Sequence, residues 1–366
     1  MTESKEYLTR QLITYIGNKR ALIPFILEAV GVVRRELGGG LLAFGDLFSG
    51  SGVVARAMKA SCREMYINDL EGYCETLSRC YLSTSSQRES LGLKGHYARL
   101  CARLEGPLEG GFISRLYAPG CDSDIKAHDR VFYTSRNARY IDTARGEIEK
   151  LPPNVRPYFI APLLCEASVK ANTAGVFKGF YKDSRGVGRF GGRGEHALSR
   201  IKADISLPFP VFSNFDRPAY IFRRDALELA KELPHLDLVY LDPPYNQHPY
   251  GSNYFMLNLV NEYEQPSELS KVSGIPKGWN RSPFNKKGLA LPALIELCAS
   301  IRASYLLISF SSEGFISPES MEKGLSALGS LRIMRHRHNV FRGSRNLKNR
   351  GIHNEEYLFL LKKEKE

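Results

Sequence analysis

From Lys19 to Leu37 apolar side chains recur at Leu22, Ile23, Ile26, Val30, Val33 and Leu37. That is the spacing of one helix face, and Pro24 is tolerable there only in the first turn. Gly38-Gly39-Gly40 is a stop signal. Leu41 to Phe48 is a short apolar run that ends at a glycine turn, and Val53 to Ala60 reads as the helix beyond it. Met65 to Ile67 predicts a second strand ending in Asn68-Asp69, followed by a helix over Glu71 to Ser83. Strand, glycine turn, helix and strand make the βαβ unit of a parallel sheet. The alternation lapses from Leu91 to Arg217, where Gly, Pro, Arg and aromatic residues accumulate. It then resumes with a strand at Ala219–Phe222, a helix at Ala226–Leu233 and a buried strand at Leu236–Leu241. A helix at Leu289–Ala303 and strands at Tyr305–Phe310 and Tyr357–Leu361 complete the pattern. The expectation is an α/β chain with helices on both faces of one sheet. Residues 1–90 and 218–366 would build the sheet domain, and 91–217 would be an inserted helical and hairpin region.

Composition narrows the class. The chain has 366 residues, 43% of them hydrophobic, enough for a sizeable core, and a formal charge of +12 that favours a polyanionic partner such as nucleic acid. Seven scattered cysteines without a Cys-x-x-Cys pair predict reduced thiols and no zinc ribbon. No metal site is expected: His336 and His338 have no acid or cysteine beside them, and Asp122-Ser-Asp124-Ile-Lys126 lacks the upstream Pro-Asp of a metal nuclease. The polar first residues and the interrupted apolar stretch around Leu22 to Val33 predict a soluble cytoplasmic protein without a membrane span.

Asp46-Leu-Phe48-Ser-Gly50-Ser-Gly52 ends the first strand and opens a helix. Glycines there let backbone approach a ligand, and a helix start supplies free amide donors. Gly50-x-Gly52-x-x-Ala55 satisfies a dinucleotide fingerprint, and Asp69 stands about 20 residues on, where an acid accepts ribose hydroxyls. The turn alone does not separate a nicotinamide cofactor from S-adenosylmethionine. The strand at Leu236–Leu241 runs directly into Asp242-Pro243-Pro244-Tyr245. Two prolines stiffen the backbone just past a strand's carboxyl end, where open α/β sheets bind ligands. The Asp242 carboxylate and the Pro243 carbonyl are both acceptors, and Tyr245 offers an aromatic face. That set suits a planar group bearing an amino nitrogen.

These residues resemble the alpha-class N(6)-adenine DNA methyltransferases, which include the DNA adenine methylases and many restriction-system methylases. The resemblance runs along nearly the whole chain. Tyr15-Ile-Gly-Asn-Lys19-Arg is similar to the family's first cofactor motif, Asp46 to Gly52 to its main cofactor loop, Asn68-Asp69 to the ribose site and Arg224-Asp225-Ala226 to the segment beside the cofactor adenine. Asp242 to Tyr245 is similar to the catalytic signature. Ser252-Asn-Tyr-Phe255, Ile308-Ser-Phe310 with Glu313-Gly314, and Asn354-Glu-Glu-Tyr357-Leu-Phe resemble later segments. Thr173 to Lys182, followed by Gly-Arg-Phe190, resembles the target-recognition hairpin. Asp46 departs from the Glu-Pro-Phe that many relatives carry.

The resemblance implies a Rossmann-like, S-adenosylmethionine-dependent fold that methylates the exocyclic amine of an adenine flipped out of double-stranded DNA. Asp242, Pro243, Pro244 and Tyr245 would be catalytic. Tyr15, Lys19, Asp46, Phe48, Gly50, Gly52, Asp69, Asp225 and Asp242 would bind the cofactor, with Lys19 facing its methionyl carboxylate. Eight basic residues and two acids lie between Lys170 and Lys202, and seven basic residues and no acid between Arg332 and Arg350. Lys178, Lys182, Arg185, Arg189, Arg193, Arg342 and Arg345 are the candidate DNA contacts. A cognate restriction endonuclease and a monomeric or weakly dimeric state are the implied context. The rival readings are the same chemistry on cytosine or RNA, a non-catalytic DNA-binding module with a vestigial cofactor pocket, and a nicotinamide oxidoreductase.

Overall fold

Seven strands form one sheet in the order β3-β2-β1-β4-β5-β7-β6. They are β1 (Leu42–Asp46), β2 (Cys62–Asn68), β3 (Ala219–Phe222), β4 (Leu236–Leu241), β5 (Ala303–Ser311), β6 (Gly329–Asn339) and β7 (His353–Lys363). The computed structural model describes residues 2–10, 12–247, 249–312, 314–339 and 353–364. The first five strands are parallel, whereas β7 runs antiparallel to both β5 and β6. Strand order reverses between β1 and β4, the switch point at which doubly wound sheets open a ligand crevice beyond their carboxyl ends.

β1 and β5 are almost wholly buried, and continuous burial is what a sheet covered on both faces demands. On one face Ala43, Val239, Leu241, Leu306, Ile308 and Phe359 pack with the helices Ala226–Ala230, Lys287–Ser300 and Pro318–Leu325. The other face carries Phe44, Leu238 and Leu307, all buried. The helix Ile23–Glu36 contacts β7, and Val53–Met58 contacts β2. The helix predicted over Lys19 to Leu37 is divided: Lys19–Leu22 is a 3-10 turn, and Pro24 falls in the first turn of the α-helix that follows. This is a Rossmann-like α/β fold.

β6 is a correction to the sequence reading, which gave Arg332 onward only as a basic edge. Leu331 and Ile333 pack against the sheet as part of a strand paired from Gly329 to Asn339. Its charged positions hide the alternation, and charge on an edge strand blocks pairing with another chain.

The sheet belongs to a unit made of Lys19–Leu70, Phe215–Pro249 and Arg281–Glu366. A second, helical unit takes Met1–Asn18, Glu71–Asn214 and Tyr250–Asn280. It therefore takes 1–18, 71–90 and 250–280 beyond the expected 91–217 insertion, because Tyr7, Ile13, Tyr73, Leu77, Tyr254 and Leu257 are buried in its core. The inserted region is helical as expected, but the sequence did not locate its long helices: buried Asn137, Asp142 and Arg145 interrupt the apolar spacing of Ser135–Glu149, and Pro162 stands inside the largely apolar Pro157–Lys170. Asp142 accepts from the amides of Gly111 (2.7 Å), Ile113 (3.1 Å) and Ser114 (2.8 Å). Buried Arg145 donates to the carbonyls of Val260 (2.7 Å) and Asn261 (3.1 Å), satisfying the end of the helix Phe255–Glu262.

Candidate active site

The glycine turn at the end of β1 adopts left-handed backbone at Gly50 (φ 51°) and Gly52 (φ 74°), which side chains with a Cβ rarely accept. A Cβ built on Gly52 meets nothing within 4 Å, so the turn faces open space. Asp69, at the end of β2, accepts from the Gly50 amide at 2.8 Å and fixes the loop. Asn68 binds the carbonyls of Leu47 and Arg224 and accepts from the Arg224 amide, tying the ends of β1, β2 and β3 together. Asp46 is buried, and neither carboxylate oxygen has a well-aligned hydrogen bond. Burial, with Asp242 and Asp69 adding repulsion, raises its proton affinity well above that of an ordinary aspartate, against a smaller opposing pull from the Phe48 amide. Asp46 and Tyr240 are register partners on β1 and β4, so their side chains share one face.

Asp242 follows β4 directly. Its Oδ1 lies 3.2 Å from Lys19 Nζ, and Glu356 Oε2 of β7 lies 3.7 Å from the same nitrogen. The Lys19 and Glu356 side chains are 3% and 8% exposed, and that of Asp242 is 17% exposed. None of these three atoms makes a well-aligned hydrogen bond among the described residues, so the contacts are ion pairs. Burial pushes Asp242 up to about 6; Lys19 opposes that rise and Glu356 adds to it. For Lys19, burial disfavours the charge, but Asp242, Glu356 and Tyr245 outweigh it and the ammonium is held charged. Lys19 Nζ also stands 5.6 Å from the centre of the Tyr245 ring, which meets Phe310 edge-on at 5.9 Å. Pro243 is buried and Pro244 half-buried, so the turn behind the carboxylate is braced.

The description "D12 class N6 adenine-specific DNA methyltransferase" matches residues 15–273 as a family. The chain belongs to that family. It is a DNA adenine methyltransferase, and the class requires a methyl donor. Type II methyltransferase M.NlaIII of Neisseria lactamica is 27% identical over 96% of this chain and 99% of its own. Type II methyltransferase M.CviAII of Paramecium bursaria Chlorella virus 1 is 26% identical over 95% of this chain and 98% of its own. Modification methylase StsI of Streptococcus sanguinis is 27% identical over 84% of this chain but only 45% of its own length.

The methyltransferase's sheet unit brings together Lys19, Asp46, Asp69, Asp242 and Tyr245. Phe48 borders them, edge-on to Phe284 at 5.2 Å. Lys19, expected to face a cofactor carboxylate, is engaged here by the carboxylates of Asp242 and Glu356. Asp225 caps the helix Ala226–Ala230 through the Leu227 amide at 2.8 Å. Tyr15 lies in the helical unit, where it stacks on Tyr250 (4.9 Å) and Tyr254 (4.8 Å). Sequence reasoning quoted Glu356 as part of a motif and gave it no role.

Of the expected DNA contacts, Lys178, Arg185, Arg189 and Arg193 are exposed and Lys182 is half-buried over Phe180. A tight hairpin forms where Lys182 bridges Gly188, held by Asp183 accepting from the amides of Arg185 (2.8 Å) and Val187 (3.0 Å). Arg185 pairs with Asp183 at 3.1 Å and Arg189 with Glu195 at 3.0 Å. Arg342 and Arg345 lie outside the described residues. No helix among the described residues is long and apolar enough to cross a membrane.

Lys19→Met leaves half-buried Asp242 without its cation, so the folded chain holds a proton on that carboxyl to still higher pH. The folded state then binds more protons than the unfolded state, and stability falls as pH rises. Urea unfolding should show a loss of about 3–5 kcal/mol at pH 8 and a distinctly smaller loss at pH 5. Equal losses at the two pH values would show that Lys19 is not the counter-ion of Asp242.

Proposed function

We propose that this methyltransferase moves a methyl group from S-adenosylmethionine to the N6 amine of an adenine flipped out of double-stranded DNA. It would act in the cytoplasm as a monomer or weak dimer, as the modification partner of a restriction endonuclease. The observation that carries this reading is the Asp242 carboxylate, its Oδ1 enclosed beside Lys19 at the carboxyl end of β4, next to the glycine turn that ends β1.

The residues at the turn fit a nucleoside cofactor. Gly52 leaves its approach open, Phe48 offers a ring, and Asp69 can accept from ribose hydroxyls while it holds the loop. Buried Asp46, without an aligned partner, lies beneath that loop and Asp225 can accept from an adenine amine. When bound, S-adenosylmethionine supplies an electrophilic methyl carbon on a positively charged sulfur. The chain's own residues prepare the acceptor. The adenine amine is a weak nucleophile because its lone pair is delocalised into the ring. Asp242 and the Pro243 carbonyl would accept its two hydrogens, favouring a tetrahedral nitrogen whose lone pair is free. The rigid diproline turn holds both acceptors at fixed positions. Tyr245 would stack on the extruded base, worth about 1–3 kcal/mol. A carboxylate pushed up to about 6 accepts the proton displaced from the amine more readily than an ordinary aspartate.

In the helical unit, the hairpin of Lys182 to Gly188 and its basic neighbours would contact DNA, with Arg185 and Arg189 exchanging their acidic partners for phosphates. Support comes from their exposure and from the glycines that keep the loop narrow.

Asp242→Ala should lower methyl transfer by about 10²–10³-fold or more, while duplex affinity stays near wild type; normal turnover of labelled methyl groups would refute the assigned role. Replacing Arg185 and Arg189 together by Ala should weaken duplex binding and reduce the slope of log affinity against log salt by about 2. An unchanged slope in fluorescence-anisotropy titrations would remove both from the phosphate contacts.

A further inference from the structure

Strand β7 runs against both of its neighbours, β5 and β6, and that reversal has a chemical result. Because β7 is antiparallel, its first residues lie at the sheet end where β1 and β4 finish. Glu356 is in register with Ser311 of β5 and with His336 of β6. Following the register across the sheet places Asp46, Tyr240, Ser309, Ser311 and Glu356 on one face. Asp242, two residues beyond Tyr240, continues that face. A carboxylate here is costly unless a cation compensates it, and Lys19 at 3.7 Å is the cation that faces Glu356.

We propose that Glu356 is a positioning residue of the methyl-transfer site: it shares the Lys19 ammonium with Asp242, so that Lys19 steadies Asp242 without capturing it. This rests on the reading of Asp242 as the acceptor of the adenine amine. Lys19 is nearer to Asp242 (3.2 Å) than to Glu356 (3.7 Å). With one anion only, the ammonium would close fully on Asp242 and occupy the oxygen that the amine requires. With two, it is held between them. The groups facing this pair are Lys19 from the 3-10 turn, Asp46 from β1, Tyr240, Asp242 and Tyr245 from β4 and its extension, Ser309 and Ser311 from β5, and His336 from β6. Asp69 stands behind Asp46. Glu356 is one of the groups that raise the proton affinity of Asp242, so neutralising it lowers that affinity.

The test is Glu356→Gln, read in two ways. In the apoprotein, isotope-edited infrared titration of the Asp242 carboxyl, assigned by its loss in Asp242→Asn, should show a midpoint lowered by about half a unit or more. In turnover, the acid limb of the kcat profile should move the same way, and kcat should fall about tenfold with KM for S-adenosylmethionine changed less than about threefold. Glu356→Asp keeps the charge but withdraws it by one methylene, and should show smaller changes in the same direction. A wild-type midpoint in folded Glu356→Gln, or activity that only follows the folded fraction, overturns the proposal. Should Glu356→Gln not fold, a wild-type midpoint in Glu356→Asp overturns it equally. Turnover surviving in Asp242→Ala would fail the reading of Asp242 itself; an inactive Asp242→Ala with an unmoved Glu356→Gln fails this inference alone.

Discussion

One buried lysine serves two carboxylates, buried Glu356 and half-buried Asp242, and the chemistry of the site follows from that imbalance. Lys19 is almost fully enclosed, with Asp242 and Glu356 both within ion-pair distance. Removing three charges from water is expensive, and a single cation offsets only part of the cost. The remainder appears as a carboxyl at Asp242 that ionises near 6; its own burial, with Asp242 and Asp69 nearby, keeps the Asp46 carboxyl protonated well beyond the usual range. A site of this kind favours a ligand that brings positive charge, and it presents hydrogen-bond acceptors to an amine.

The sheet makes the arrangement possible. Parallel β1 and β4 deliver Asp46 and Asp242 to neighbouring positions at the switch point, and antiparallel β7 brings Glu356 back to the same end. The 3-10 turn before the helix Ile23–Glu36 supplies Lys19. Each side chain is attached to a regular element whose hydrophobic side is buried, so the positions are enforced by the core rather than by the site itself.

Much of this was legible in the residues. The apolar runs of β1, β4 and β5 are continuous because helices cover both faces, and the glycine turn and the diproline turn stand at their ends. The family resemblance rested on those turns and agrees with the match over residues 15–273. What was not legible depends on long-range pairing. Arg332, Arg335 and Arg337 obscure the alternation of β6. The roles of Lys19 and Glu356 become visible only once β7 is known to be antiparallel, since the two residues are 337 positions apart. In the helical unit, Asp142 and Arg145 sit inside an amphipathic helix yet are buried, because they satisfy the ends of other helices.

The most direct test is a crystal structure with the non-reactive cofactor analogue sinefungin and a duplex carrying the unmethylated target site. The target adenine is expected outside the stack, with its N6 within hydrogen-bond distance of Asp242 and the Pro243 carbonyl. An adenine held in the site with its amine on other groups, and Asp242 still closed on Lys19, would contradict it.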